Sequence, residues 1–327
     1  MHTETYTGIN SFLIGASKLL LKEGIKRVVR GNTCYELPEP VIFKLTNPLA
    51  RDLTIPERKW FKVLPYAESL WIASGRNDMA FINHYLARMG DFSDDGIYMR
   101  GGYGPRYRNY NGARDDYQIE AINVRQEGAV DQLRYVIECF KVDKETRRAV
   151  INMGDPMKDD FDVNGELKKS KDIPCTRELH FMKQSGNNKL DLIVRMRSND
   201  LIWGASAVNI FNYTFMQEYV SAILGLEIGN YYHIADNFHF YERHNELVKK
   251  LSELREWNDE PTIFSKKFHS LDEFDELITK LSKEEISMRT NMRDYMRIKF
   301  DDPFFEHWYD VLYEYNIEKK QWGHIIR

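Results

Sequence analysis

Leu179-His180-Phe181-Met182-Lys183 and Leu190-Asp191-Leu192-Ile193-Val194-Arg195-Met196-Arg197, joined by Gln184-Ser185-Gly186-Asn187-Asn188, decide the fold. Both flanks read as strands, and the Gly- and Asn-rich joint has the composition of a hairpin turn. An antiparallel pair is therefore expected here. Downstream, Asn209 to Leu224 is a strongly apolar run of helical length, expected at the centre of the molecule, and Tyr231 to Ala235 reads as a further strand.

Upstream, Phe12 to Lys22 has the period of an amphipathic helix stopped by Gly24. Ile25 to Val29 and Val41 to Leu45 are short β-type runs around a turn region, and Glu68 to Ala73 and Asp78 to Leu86 read as helices. Asp91 to Asn111 is rich in Gly, Asp, Arg and Tyr and carries neither period; a long irregular segment inside a compact protein is often functional. Ala129 to Phe140 is again helical, Arg148 to Asn152 reads as a strand, and Gly154 to Asp172 reads as a polar surface loop. Beyond residue 245 the chain is helical and charged. Ser270 with Glu273, and Ser282 with Glu285, have capping-box spacing, and Asp302-Pro303 is a further helix start. The reading is one α+β domain over 1–327: a core at about 25–245 with a mixed or antiparallel sheet and packed helices, and a helical C-terminal region over 246–327.

Composition narrows the function classes. The 327 residues are 43% hydrophobic and 29% charged, which is ordinary for a globular chain, and no stretch approaches the roughly 20 apolar residues of a membrane span. The polar start lacks the pattern of a secretory signal. Cys34, Cys139 and Cys175 are too few and scattered for a disulfide framework or a zinc site, so a cytoplasmic protein without a metal is expected. A net charge of −4 with mixed signs argues against a nucleic-acid polymer as partner, though not against arginines converging on one small anion.

Several residues can carry chemistry. Cys175 follows a proline at the edge of a strand; it reads as a nucleophile whose thiolate a nearby guanidinium favours, or as a small buried structural residue. Arg30, Arg147, Arg148 and Arg197 have the fork geometry that grips phosphate, or are solvated surface charges. His239 and Tyr241 share one face of an extended segment, either as two hydrogen-bonding groups or as core aromatics. Glu68 is the single acid in an apolar run, open to a capping role, a lysine partner, or acid–base work with a raised pKa.

Taken in order, these pieces resemble the thymidylate synthase family, including the pyrimidine nucleotide hydroxymethylases, from about Arg30 to His244. The matching residues are Glu68-Ser69-Leu70-Trp71, Tyr103-Gly104 with Tyr107-Arg108, Asp131-Gln132, Arg147-Arg148, Pro174-Cys175, Arg197-Ser198-Asn199-Asp200, Gly204, Asn209 and His239-Phe240-Tyr241. The resemblance implies a thymidylate synthase-like fold and a homodimer acting on a pyrimidine nucleoside monophosphate, with 5,10-methylenetetrahydrofolate as co-substrate. It makes Cys175 the nucleophile at ring carbon 6, with Glu68, Arg197 and Tyr103 beside it as catalytic groups. Arg30, Arg197 and a partner's Arg147 and Arg148 would bind phosphate; Asn209 the base; Ser198, His239 and Tyr241 the rest of the nucleotide; and Asp200, Trp71 and Gly204 the folate.

The departures bear on the product. Thr176 stands where the family usually has histidine, and Met196 where it has glutamine. Gly204 to Asn209 is one residue longer than usual, and the ending Trp322-Gly323-His324-Ile325-Ile326-Arg327 is not the family's. A dry site delivers hydride and makes a methyl group, whereas a site that admits water makes a hydroxymethyl group. The departures lean towards hydroxymethylation, with thymidylate synthesis as the alternative. A catalytically inactive nucleotide-binding relative is the rival of another class. Asparagine can serve uracil or, flipped, cytosine, so base and sugar stay open.

Overall fold

The computed structural model describes residues 2–121, 124 and 126–323; the ending His324 to Arg327 lies outside them. The strands are β1 (His2–Tyr6), β2 (Ile25–Val29), β3 (Asn32–Glu36), β4 (Val41–Leu45), β5 (Val150–Asn152), β6 (Thr176–Lys183), β7 (Lys189–Met196), β8 (Asn199–Asp200), β9 (Glu227–Ala235) and β10 (Phe238–Tyr241). The helices are α1 (Ile9–Glu23), α2 (Val63–Ala73), α3 (Met79–Tyr85), α4 (Tyr103–Arg108), α5 (Gln132–Val142), α6 (Pro156–Asp159), α7 (Ile210–Leu224), α8 (Asn245–Glu253), α9 (Leu271–Asn291) and α10 (Pro303–Gly323).

The expected hairpin supplies two adjacent inner strands of a mixed six-stranded sheet ordered β1-β4-β9-β7-β6-β5. β6 and β7 pair antiparallel with Leu179 opposite Val194 and Phe181 opposite Leu192, and β9 joins β7 in parallel. Period-2 alternation buries Leu190, Leu192, Val194 and Met196 on one face of β7, and Tyr231, His233 and Ala235 on the same face of β9. That face carries α7, apolar nearly all round and therefore central. Gln217 ties it down, its amide donating to Leu190 O at 2.8 Å and Asn230 O at 3.1 Å. A smaller sheet, β2-β3-β10-β8, stands beside the first.

The apolar cluster runs from Ile9 and Phe12 in α1 to Trp308 and Leu312 in α10, so the core begins upstream of residue 25 and takes in the C-terminal helices. α10 braces α2, the helix that carries Glu68. Trp308 is fully buried, and its indole N–H donates to Tyr66 O at 2.8 Å. Arg108 spans α4 and α9, reaching Asp275 at 2.8 and 2.9 Å and Asp131 at 3.0 Å.

Three expectations change. Ser270 does cap α9, accepting from Glu273 N at 3.2 Å, but Ser282 starts nothing: it is buried in mid-helix. Phe274, Ile278, Leu281 and Met288 form one continuous buried stripe through it, and packing overrides the local signal. The irregular stretch Asp91 to Asn111 contains α4. The polar loop after Gly154 is not wholly superficial, because Lys158 is fully buried over the Tyr117 ring at 4.7 Å, close to Asp155, Asn111 and the Ala113 carbonyl.

Candidate active site

The two sheets, α2 and the segment after β7 enclose a cavity of about 550 Å³. Twelve of the fourteen site residues expected from the sequence line it: Arg30, Glu68, Trp71, Tyr103, Cys175, Arg197, Ser198, Asp200, Gly204, Asn209, His239 and Tyr241. Arg147 and Arg148 do not. They are exposed, on the approach to β5 at the edge of the large sheet.

Cys175 and Arg197 meet because they flank the paired residues Thr176 and Met196 of β6 and β7. Arg197 N donates to Cys175 O at 2.9 Å, and its guanidinium donates to Pro174 O at 3.0 Å and Ile173 O at 2.8 Å. The arginine thus wraps the turn that presents the sulfur. Its charge, with that of Arg30, pulls the thiol pKa down, yet burial outweighs both and the thiol is pushed up. The expected thiolate therefore needs more than the arginine.

Arg30 reaches the cavity from a tight hairpin. It and Gly31 connect β2 to β3 with φ of 50° and 75°, the positive values a type I′ turn requires. Tyr103 accepts a hydrogen bond from Thr176 N at 3.2 Å, next to the cysteine. Burial keeps its hydroxyl protonated.

Glu68 faces the cavity from α2, among apolar walls. Burial pushes its carboxyl up to about 7, against the pull of a hydrogen bond from Asn212. Asn212 is itself held by Ser69, whose hydroxyl donates to Asn212 Oδ1 at 2.9 Å. The acid is poised to hold or release a proton near neutrality.

His239 has a defined tautomer. The Asn237 amide donates to the Glu36 carboxylate at 2.9 Å, so Asn237 Oδ1 must accept from His239 Nδ1–H, also at 2.9 Å. Nε2 is then left as an acceptor suited to a hydroxyl. Asp200 pairs with His239 across β8 and β10; its Oδ2, like Trp71 Nε1, is buried without a hydrogen-bond partner among the described residues, in a cavity that apolar Leu86, Met89 and Trp203 also line. Such orphans suit a flat heterocycle with polar edges, as a pterin is.

The segment Leu201–Asn209 is a π-helix, with Ile210 N bonding back five residues to Ala205 O. Arg58 and Trp60 hold it from outside, donating to Ile202 O at 2.7 Å and Ala207 O at 3.0 Å. The wider turn absorbs the extra residue between Gly204 and Asn209, and Asn209 still reaches the cavity.

The family model described as thymidylate synthase matches residues 39–299. The chain belongs to the thymidylate synthase family. Within that family it is 38% identical over 222 residues to the deoxyuridylate hydroxymethyltransferase of Bacillus phage SP01, covering 68% of this chain and 54% of that one. The corresponding enzyme of Pseudomonas phage M6 is 34% identical over 233 residues, 71% and 59% of the two chains. The thymidylate synthase of Bacillus licheniformis is 33% identical over 134 residues, 41% and 44% of the two. The chain spans a little over half the length of the two phage relatives.

Sequence reasoning missed the polar residues behind this thymidylate synthase-family site. Asn212 had a signal, being polar in an apolar helix three residues after Asn209. His233 had one too, sitting on the inward phase of β9 between Tyr231 and Ala235. Asn199 stood within the Arg197-to-Asp200 match but with no role attached, and Asn237 had no signal.

Proposed function

We propose that this protein transfers a one-carbon unit from 5,10-methylenetetrahydrofolate to carbon 5 of 2′-deoxyuridine monophosphate and releases the hydroxymethyl product. The observation that carries this reading is the convergence of Cys175, Glu68, Arg197, Asn209 and His239 on one cavity of about 550 Å³, large enough for a nucleotide beside a flat heterocycle. The Cys175 sulfur bonds to ring carbon 6, which makes carbon 5 nucleophilic. The folate supplies the electrophilic methylene when bound, and Asp200, Trp71 and Trp203 would hold its ring. Arg30 and Arg197 bind phosphate, while His239 Nε2 accepts from a sugar hydroxyl with Tyr241 beside it. Once carbon 5 has bonded to that methylene, Glu68 takes the carbon 5 proton as the methylene–nitrogen bond breaks and tetrahydrofolate leaves, and it orders the water that adds to the exocyclic methylene so formed. As the new C–O bond forms, the carbon 6–sulfur bond breaks and Cys175 is restored.

The names of the phage relatives support hydroxymethylation and uracil. The test is mass spectrometry of products from dUMP, UMP, dCMP and CMP. A gain of one CH2O unit on dUMP, without dihydrofolate absorbance, is expected. Stoichiometric dihydrofolate would overturn the hydroxymethyl assignment in favour of thymidylate synthesis.

A homodimer completes the phosphate site. In one copy the outer face of the large sheet is uncovered by any helix among the described residues: Val150, His180, Ile193, Tyr232 and Lys44 lie in one cross-strand row, with Ile42 and Ile234 in another, all half-buried. Pairing two copies across this face would bring Arg147 and Arg148 of each to the other's cavity. Mixing inactive Cys175→Ser with an inactive Arg147→Ala/Arg148→Ala variant should then restore about one quarter of wild-type activity, since half the dimers are mixed and each has one intact site. A mixture no more active than its parents would place the two arginines elsewhere.

A further inference from the structure

Asn209 stands at the end of a buried hydrogen-bond chain that no catalytic role uses. The Tyr231 hydroxyl lies 2.8 Å from His233 Nδ1, His233 Nε2 lies 3.0 Å from Asn199 Oδ1, and Asn199 Nδ2 lies 2.8 Å from Asn209 Oδ1. Tyr231 and His233 are fully buried, and Asn199 and Asn209 nearly so. We propose that this chain locks the Asn209 carboxamide in one of its two orientations, so that the site accepts uracil and rejects cytosine. The proposal rests on the nucleotide reading above.

The chain has a direction. His233 bonds the Tyr231 hydroxyl, and no second partner for that hydroxyl is found among the described residues. A buried O–H with one partner donates to it, because reversal would leave the proton without an acceptor. His233 Nδ1 therefore accepts and Nε2–H donates to Asn199 Oδ1. The Asn199 amide then donates to Asn209 Oδ1. A neutral ring is required, with one donor and one acceptor, and burial supplies it by pushing His233 down to about 3. Flipping Asn209 would mean reversing every bond back to the tyrosine.

The fit around the pair is close. A Cβ on Gly204 would sit 2.7 Å from Asn199 Nδ2 and 3.0 Å from Asn209 Oδ1. Only a glycine leaves the two amides in contact.

The consequence for the base follows from donor and acceptor order. Uracil presents N3–H and O4, a donor and then an acceptor, whereas cytosine presents N3 and the N4 amino group, an acceptor and then a donor. A freely flipping asparagine serves both. A locked one meets the wrong base donor to donor and acceptor to acceptor, and a polar site mismatched in this way discriminates strongly. Tyr231 and His233 touch no substrate in this scheme; they are positioning residues that set specificity from behind.

The test is base selectivity in Tyr231→Phe and His233→Phe, measured as the ratio of dCMP to dUMP dissociation constants by calorimetry on the full chain. Wild type is expected to favour dUMP by at least about 100-fold. Tyr231→Phe keeps the ring but removes the proton that sets the direction, so the ratio should fall by about tenfold through tighter dCMP binding. His233→Phe should lower it at least as much. A merely structural role would weaken both nucleotides together and leave the ratio unmoved; a ratio within twofold of wild type in both variants overturns the proposal. Wild type that binds dUMP and forms the covalent adduct while the variants keep their ratio sinks the lock alone. Wild type that binds neither nucleotide sinks the lock and the nucleotide reading together, and wild type that prefers dCMP overturns the assignment to uracil.

Discussion

Cys175→Ser is expected to lower turnover by roughly four orders of magnitude while dUMP binding stays close to wild type. Sulfur is needed for two reasons. It adds to a conjugated ring carbon far more readily than a hydroxyl oxygen, and it leaves again when the product forms. Burial already pushes the thiol of Cys175 up despite Arg197 and Arg30. An alcohol at the same point starts from a much higher pKa, so the anion would be vanishingly rare. The phosphate contacts proposed for Arg30 and Arg197 and the base contact proposed for Asn209 do not involve the sulfur, which is why binding should survive. A 5-fluoropyrimidine nucleotide with methylenetetrahydrofolate gives the decisive contrast: mass spectrometry should find a covalent adduct on Cys175 in wild type and none in the variant. Turnover above a tenth of wild type in Cys175→Ser would discard covalent catalysis. No adduct on wild type would favour the inactive nucleotide-binding relative.

Which parts of this were legible in the sequence follows from the range of the interactions involved. The β6–β7 hairpin and α7 could be read because strand alternation and an apolar helical run are local patterns. Cys175 and Arg197 were put side by side by the family resemblance alone, and the pairing of Thr176 with Met196 is the physical reason they meet. The anomalous Gly204 to Asn209 spacing was visible, but not its resolution; a π-helix is a backbone answer that side-chain identities do not announce. The polar chain behind Asn209 links positions 10 and 34 residues apart, and only the register of β8, β9 and the segment after them brings these together. Lys158 shows the opposite failure. A charged residue in a polar stretch reads as surface, yet Asp155, Asn111 and the Tyr117 ring together make its burial tolerable. Arg147 and Arg148 expose a limit of another kind, since of the four candidate arginines one copy of the chain brings Arg30 and Arg197 to the cavity and leaves these two outside it.

Glu68→Gln should make the protein both inactive and more stable, with the stability gain depending on pH. Burial pushes the wild-type carboxyl up to about 7 in the folded state, from an ordinary carboxylate value of 4.5. Between those two values the folded chain holds a proton that the unfolded chain has released. Stability therefore falls as pH rises through this window, and the full penalty is present above the folded value. The shift corresponds to about 3 kcal/mol, an upper figure for a group that borders a cavity. Glutamine keeps the shape and still accepts from Asn212, but it has no charge to bury. Urea unfolding should show the variant close to wild type at about pH 5 and about 2–3 kcal/mol more stable at about pH 8, with turnover lower by 100-fold or more, roughly the worth of a general acid–base group. Parallel stability profiles for the two proteins would mean that Glu68 ionises without strain in the empty cavity, and its role as a proton carrier near neutrality would fail with that result. The stability cost and the chemistry have one origin: the apolar wall that makes the carboxylate expensive also brings its pKa to the pH at which it can both take a proton and give it back.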